Sequence, residues 1–90
     1  MKAVKVIVEG KVQGVGFRNF IETKAVKLNL NGYVKNSNSG HVEIWAEGSE
    51  PELLNLVETA KKGSLFSKVT NVEVSWIEPS NKYYGFYITY

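Results

Sequence analysis

The sequence predicts an α+β, ferredoxin-like (split β-α-β) sandwich, an antiparallel sheet covered on one face by two helices. Two patterns carry this prediction. Apolar residues alternate near the start, in the middle and near the end of the chain, and between these stretches they recur at helical spacing twice. Glycine, asparagine and serine separate the runs, so the order reads β-α-β-β-α-β with a short C-terminal strand. The 90 residues suit one domain, 1–90, with no internal repeat or low-complexity linker.

Val4, Val6 and Val8 alternate with Lys5, Ile7 and Glu9, which reads as a strand ending at Gly10. After a glycine-rich loop, Phe17, Phe20, Ile21, Ala25 and Leu28 mark one face of a helix that should stop between Asn29 and Gly32. "YVKN" and "HVEIWAE" form a hairpin across "SNSG", with Val42, Ile44 and Ala46 on one face and Glu43, Trp45 and Glu47 on the other. Ser49 and Glu52 have capping-box spacing, and Pro51 is allowed in a first turn. Leu53, Val57 and Ala60, flanked by Leu54 and Leu56, continue that helix to Gly63. "KVTNVEVSWIE" returns to alternation with Val72, Val74 and Trp76 on one side, and "NKYYGFYITY" closes the chain as an aromatic strand.

Composition removes several function classes. With no cysteine, disulfides, thiolate nucleophiles and thiolate metal sites are excluded; with a single histidine, His41, no zinc site is expected. A net charge of +2 from scattered lysines argues against nucleic acid, and Lys61-Lys62 falls where a helix dipole favours cations. No apolar run is long enough for a membrane, and the alternating N-terminus is unlike a signal peptide, so the cytoplasm is the expected location.

The segment "GKVQGVGFR", Gly10 to Arg18, contains the only arginine of the chain. Glycines between a strand and a helix admit positive φ and let an anion approach the backbone, and the helix N-terminus adds partial positive charge. A guanidinium fork matches two phosphate oxygens, which an ammonium does not. The same residues also fit a tight connection followed by a solvated arginine. The loop is neither a P-loop nor a dinucleotide fingerprint, and Val12 stands where a thiol phosphatase has its cysteine, so it carries no nucleophile. Asn36, at the end of "GYVKN", is the second candidate: a carboxamide can hold and aim a water, although the residues of "NSNSG" on their own favour turn chemistry.

Together, "GKVQGVGFR" and "GYVKNSNSGHVEIWAEG" resemble the two signature blocks of the acylphosphatase family. The first has the form G-x-V-Q-G-V-x-[FM]-R; Gly32, Tyr33, Val34, Lys35, Asn36, Gly40, Val42 and Gly48 satisfy the second. The resemblance implies hydrolysis of the carboxyl–phosphate anhydride of acyl phosphates to a carboxylate and inorganic phosphate, without metal or cofactor. It implies a phosphate-binding loop of Gln13, Gly14, Val15, Gly16, Phe17 and Arg18, with Arg18 on the phosphoryl group and Asn36 positioning the water. Inorganic phosphate, the product, is then expected to compete with substrate. Lys35, Asn29, Tyr33 and "SNSG" depart from commoner family choices without touching Arg18 or Asn36.

His41 reads as an exposed hairpin residue, and Glu43 and Glu47 beside Trp45 as a solvated outer face. Phe17, Phe20, Val57 and Trp76 read as core. A rival reading is an RNA-binding module, since "KYYGFYIT" shares Lys82, Tyr84, Gly85 and Phe86 with an RNA-recognition octamer, but it fails at Tyr83, Tyr87 and Thr89 and is not on a central strand. A phosphate-binding module without turnover is the third. A monomer is expected, with Tyr83 to Tyr90 as an edge strand open to pairing with a second chain.

Overall fold

A computed structural model describes residues 1–90 and contains β1 (Lys2–Lys11), α1 (Phe17–Lys27), β2 (Asn31–Asn36), β3 (Val42–Gly48), α2 (Glu50–Lys62), β4 (Lys68–Ile77) and β5 (Phe86–Thr89). The strands form one sheet in the order β4-β1-β3-β2-β5. β1 pairs antiparallel with β3 and β4, as β2 does with β3, and β5 joins β2 in parallel. The sheet is therefore mixed, and the parallel pairing follows from a connection that crosses from one edge strand to the other.

The alternation in β1 is a packing pattern. Val4, Val6 and Val8 lie opposite Ala46, Ile44 and Val42, and all six are buried. Phe17, Ile21 and Ala25 of α1 and Leu53, Leu56 and Ala60 of α2 bury the opposing faces in the same cluster. Each large aliphatic or aromatic side chain removed from water there contributes about 1.5–3 kcal/mol. α1 ends as the sequence implies, with Asn29 at φ 56°, and Gly63 follows α2.

Gly10 redirects the chain toward the site. The β1–β4 register shifts between Glu9 and Gly10, so the strand runs on to Lys11 after leaving β3. Gly10 has φ 125°, and a Cβ there would lie 2.1 Å from the carbonyl oxygen of Lys68. Only glycine fits this bulge without displacing β4.

Three expectations are corrected. Trp76 is not core: it is 49% exposed on the edge strand β4. Its period-2 position is right, opposite Val4, but no element beyond the edge covers it, and Lys2 Nζ lies 6.0 Å from the ring centroid. The Ser49–Glu52 pair is not a reciprocal cap, because the Ser49 hydroxyl bonds the Glu52 carboxylate and caps no backbone amide. Finally, Glu47 is not on a solvated face; it is 1% exposed.

The Glu47 carboxylate is covered by the β4–β5 connection, which passes over the outer face of the sheet. It accepts from Trp45 Nε1 at 2.6 Å, from the Ser80 amide and hydroxyl at 2.8 and 2.6 Å, and from the Asn81 amide at 3.0 Å. Burial alone raises its pKa, but the bonds from the Ser80 hydroxyl, the Trp45 indole and the two amides more than reverse this, so the carboxyl sits below its ordinary value. The connection then docks through Gly85, whose amide donates to Asn31 Oδ1 at 2.8 Å and whose carbonyl accepts from the Gly32 amide at 2.9 Å.

Two outcomes follow. Gly10→Ala should cost about 2 kcal/mol or more, lowering the thermal midpoint by roughly 8 °C or more. Glu47→Gln sets an amide NH₂ against backbone donors and should cost about 2–3 kcal/mol near neutral pH. Because the folded-state pKa of Glu47 is depressed, its contribution is present above the unfolded-state value and is lost as pH falls through the folded one. The midpoint gap between wild type and Glu47→Gln should therefore narrow as the pH is taken below the ordinary carboxylate range, and an unchanged gap would refute the assignment.

Candidate active site

The C-terminal end of β1, the N-terminus of α1 and the ends of β2 and β5 enclose a cavity of about 260 Å³. Gly14, Gly16, Phe17, Arg18 and Asn36 line it, together with Val12, Asn19, Ile88 and Tyr90. Five of the residues singled out in the sequence thus converge. Gln13 and Val15 are not in the wall. Val15 packs against the core, and the Gln13 side chain turns toward the β2–β3 turn.

The loop is shaped by backbone angles. Gly14 and Gly16 have φ 72° and 77°, and a Cβ at either would meet nothing within 4 Å. Glycine is needed there for conformation, and it leaves the backbone open to close approach. Gly16 is the N-cap of α1 and supplies no side-chain cap, and the first turn of α1 contains no acidic residue. The contrast with α2 is direct: Glu50 and Glu52 occupy its first turn. The α1 N-terminus therefore keeps uncapped amides and an uncompensated positive dipole end.

Arg18 adds a cation at that same end, which the dipole disfavours unless an anion sits between them. The guanidinium is in no ion pair. It is held from the side: Nη1 lies 3.5 Å from the Thr89 carbonyl, and Cζ is 4.9 Å from the Tyr90 ring centroid. The first contact is at the limit of a hydrogen bond, so the cation–π contact carries more of the placement. The guanidinium keeps nearly all its donors for something else.

Asn36 ends β2, with Val34 buried two positions before it. Its carboxamide forms no hydrogen bond with the protein, and Oδ1 is buried without a partner. The turn role open to it in the sequence belongs to Ser37, whose hydroxyl accepts from the His41 amide at 3.2 Å. Asn36 is thus a polar side chain in a cavity wall with its hydrogen-bonding capacity unused. An unsatisfied buried acceptor costs about 1–3 kcal/mol; Ser64 Oγ is a second one, away from the cavity, so it is the place in the cavity wall that marks Asn36.

His41 is half-buried away from the cavity, with Nε2 3.9 Å from Glu9 Oε1. No group of three or more His, Cys, Asp or Glu side chains is placed to share a metal ion, and no helix is long and apolar enough to cross a membrane. The outer sheet face carries Tyr33 stacked on Trp45, with ring centroids 6.4 Å apart. Burial and the neighbouring Glu43 carboxylate push the Tyr33 phenol well above its ordinary pKa.

Sequence reasoning did not single out Tyr90, Thr89 or Ile88. The alternation of Phe86, Ile88 and Tyr90 was a signal for which side they face. Nothing local indicated that β5 lies beside β2 and ends against Arg18.

Comparison with known proteins bears on family and fold. The acylphosphatase family profile matches residues 4–88. An acylphosphatase of Bacillus subtilis is 47% identical over 90 residues, covering all of this chain and 99% of its own length. The crystal structure of acylphosphatase from Bacillus subtilis superposes with a TM-score of 0.96 over the full length of both chains, at 47% identity. An acylphosphatase structure from Coxiella burnetii gives 0.91 at 36% identity, covering 98% of this chain and 92% of that one. Since the profile and these relatives span nearly the whole chain and the cavity unites both signature blocks, the chain belongs to the acylphosphatase family.

Proposed function

We propose that residues 1–90 act as one domain that hydrolyses the carboxyl–phosphate anhydride of a small acyl phosphate, giving a carboxylate and inorganic phosphate. The observation that carries the site assignment is the uncommitted carboxamide of Asn36 in the wall of the same cavity as Arg18. Family membership supports the activity.

In this reading the phosphoryl oxygens lie against the amides of the Gln13–Arg18 loop and the N-terminus of α1, and Arg18 offers its planar fork to two of them. Asn36 binds one water and holds it in line with the P–O bond to the carboxylate. The oxygen of that water bonds to phosphorus as the bond to the acyl oxygen breaks, and the electron pair leaves on the carboxylate. A carboxylate is stable as an anion, so the leaving group needs no general acid. The water's proton passes to the phosphate product. Catalysis rests on position and on charge stabilisation, the main contributions in phosphoryl transfer. No side chain with a mid-range pKa is required, and the cavity wall holds none. Inorganic phosphate competes for the same cradle, and the protein acts as a monomer.

The test is hydrolysis of benzoyl phosphate in excess EDTA, with inorganic phosphate as inhibitor. Wild type should turn over. Asn36→Ala should lose about 10²-fold in kcat while phosphate still binds. Arg18→Ala should lose phosphate affinity and turnover together, about 10- to 100-fold for each charge-assisted hydrogen bond removed. Wild-type rates in both variants would overturn the residue roles; bound phosphate without turnover in wild type would leave a binding module.

A further inference from the structure

We propose that the side chain of Gln13 is a positioning residue for this hydrolysis, tying the phosphate loop to the turn that follows Asn36 and thereby setting the separation between the two halves of the site. The proposal rests on the hydrolytic reading above.

Gln13 is half-buried, and its Nε2 donates to two carbonyl oxygens at once: Ser37 at 2.9 Å and His41 at 2.8 Å. These are the two ends of one turn. Within it, the Ser37 amide donates to the His41 carbonyl at 2.9 Å and the His41 amide to the Ser37 hydroxyl at 3.2 Å. The turn is closed by its own bonds, so a grip on both ends moves it as one body. Ser37 adjoins Asn36, which the β2–β3 ladder already holds opposite Val42, so a grip on the turn sets how the end of that ladder, and Asn36 with it, leans toward the loop.

The β2–β3 ladder reaches the base of this turn at Asn36 opposite Val42, but no backbone ladder ties the turn to the loop before α1. The β1–β3 pairing ends at Val8 opposite Val42, and beyond the bulge β1 pairs with β4 alone. Among the backbone hydrogen bonds outside helices and strands, none joins the loop before α1 to residues 37–41. The other contact at this end, His41 Nε2 to Glu9 Oε1 at 3.9 Å, reaches β1 and not the loop. Beside the shared core, the hydrogen bonds that join the segment that would hold phosphate to the segment that would hold water are those of Gln13.

The chemistry suits glutamine. A carboxamide nitrogen has two diverging N–H groups, one for each carbonyl, and it is neutral. Glutamate would direct oxygens at carbonyl oxygens. Lysine would add a positive charge beside a cradle whose charge Arg18 already supplies. A gap of about 1 Å between a bound water and its target is enough to cost 10²-fold in rate, so a link of this kind bears on turnover more than on binding.

The experiment uses Gln13→Met, close in size but without donors, and Gln13→Glu, in the wild-type and Asn36→Ala backgrounds. Steady-state hydrolysis of benzoyl phosphate and inhibition by inorganic phosphate are measured, with thermal midpoints to establish that each variant is folded at the assay temperature. In the wild-type background kcat should fall about tenfold or more, with the phosphate inhibition constant changed less than about threefold. In the Asn36→Ala background the same substitutions should lower kcat no further, because the residue through which Gln13 acts is gone. Unchanged kcat, an equal loss in both backgrounds, a parallel collapse of phosphate affinity, or failure of both variants to fold would each overturn the proposal. If wild type itself does not turn over, the hydrolytic reading falls first and this one with it.

Discussion

A buried carboxylate with four donors around it is the constraint on which the C-terminal third of this structure depends. Glu47 sits on the face of the sheet that the helices do not cover, and its lone pairs are filled by Trp45, Ser80 and Asn81. An ionised group in that position is tolerable only while the donors stay, so the connection after β4 is held against the sheet and cannot drift off as a free loop. Once it is held, Gly85 meets Gly32 and Asn31, β5 enters parallel to β2, and the chain ends beside Arg18.

A charge buried on one face of the sheet thus reaches an arginine that lines a cavity at the other end of the same strands. The path is covalent and short: the crossing segment, four residues of β5, and the ring of Tyr90. It explains how a half-buried guanidinium is placed without an anionic partner of its own. Carboxylate pairing would fix Arg18 more firmly, but it would also consume the charge that the proposed phosphoryl group would need. Aromatic contact orients the cation and leaves its N–H donors open.

The remaining parts of the site are similarly economical in chemistry. Two glycines at positive φ leave backbone amides accessible, a helix without acidic residues in its first turn keeps its dipole uncompensated, and one carboxamide stays without a partner. Each is mildly unfavourable in an empty fold and favourable around an anion with a water beside it. The energetic cost of these features falls on a core of valine, isoleucine, leucine, alanine and phenylalanine that spans both helices and all but the edge strand β4 among its buried members.

The sequence by itself determined the element order, the core faces of β1, β3 and both helices, and the two segments that meet at the cavity, because each is written in local periodicity and spacing. Val4, Val6 and Val8 alternate whatever lies across from them, and a glycine loop before a helix offers amides wherever it is placed. It did not determine whether a face is covered. Trp76 and Glu47 both sat at correct alternating positions and were read with the wrong exposure, because period 2 distinguishes sides and is silent about what packs on them. Only the tertiary structure decided that Tyr90 meets Arg18, that Gln13 holds the turn beside Asn36, and that β5 runs parallel to β2. Those contacts join residues 24 to 72 positions apart in the chain, and they exist through sheet order and chain crossing, which no local pattern encodes.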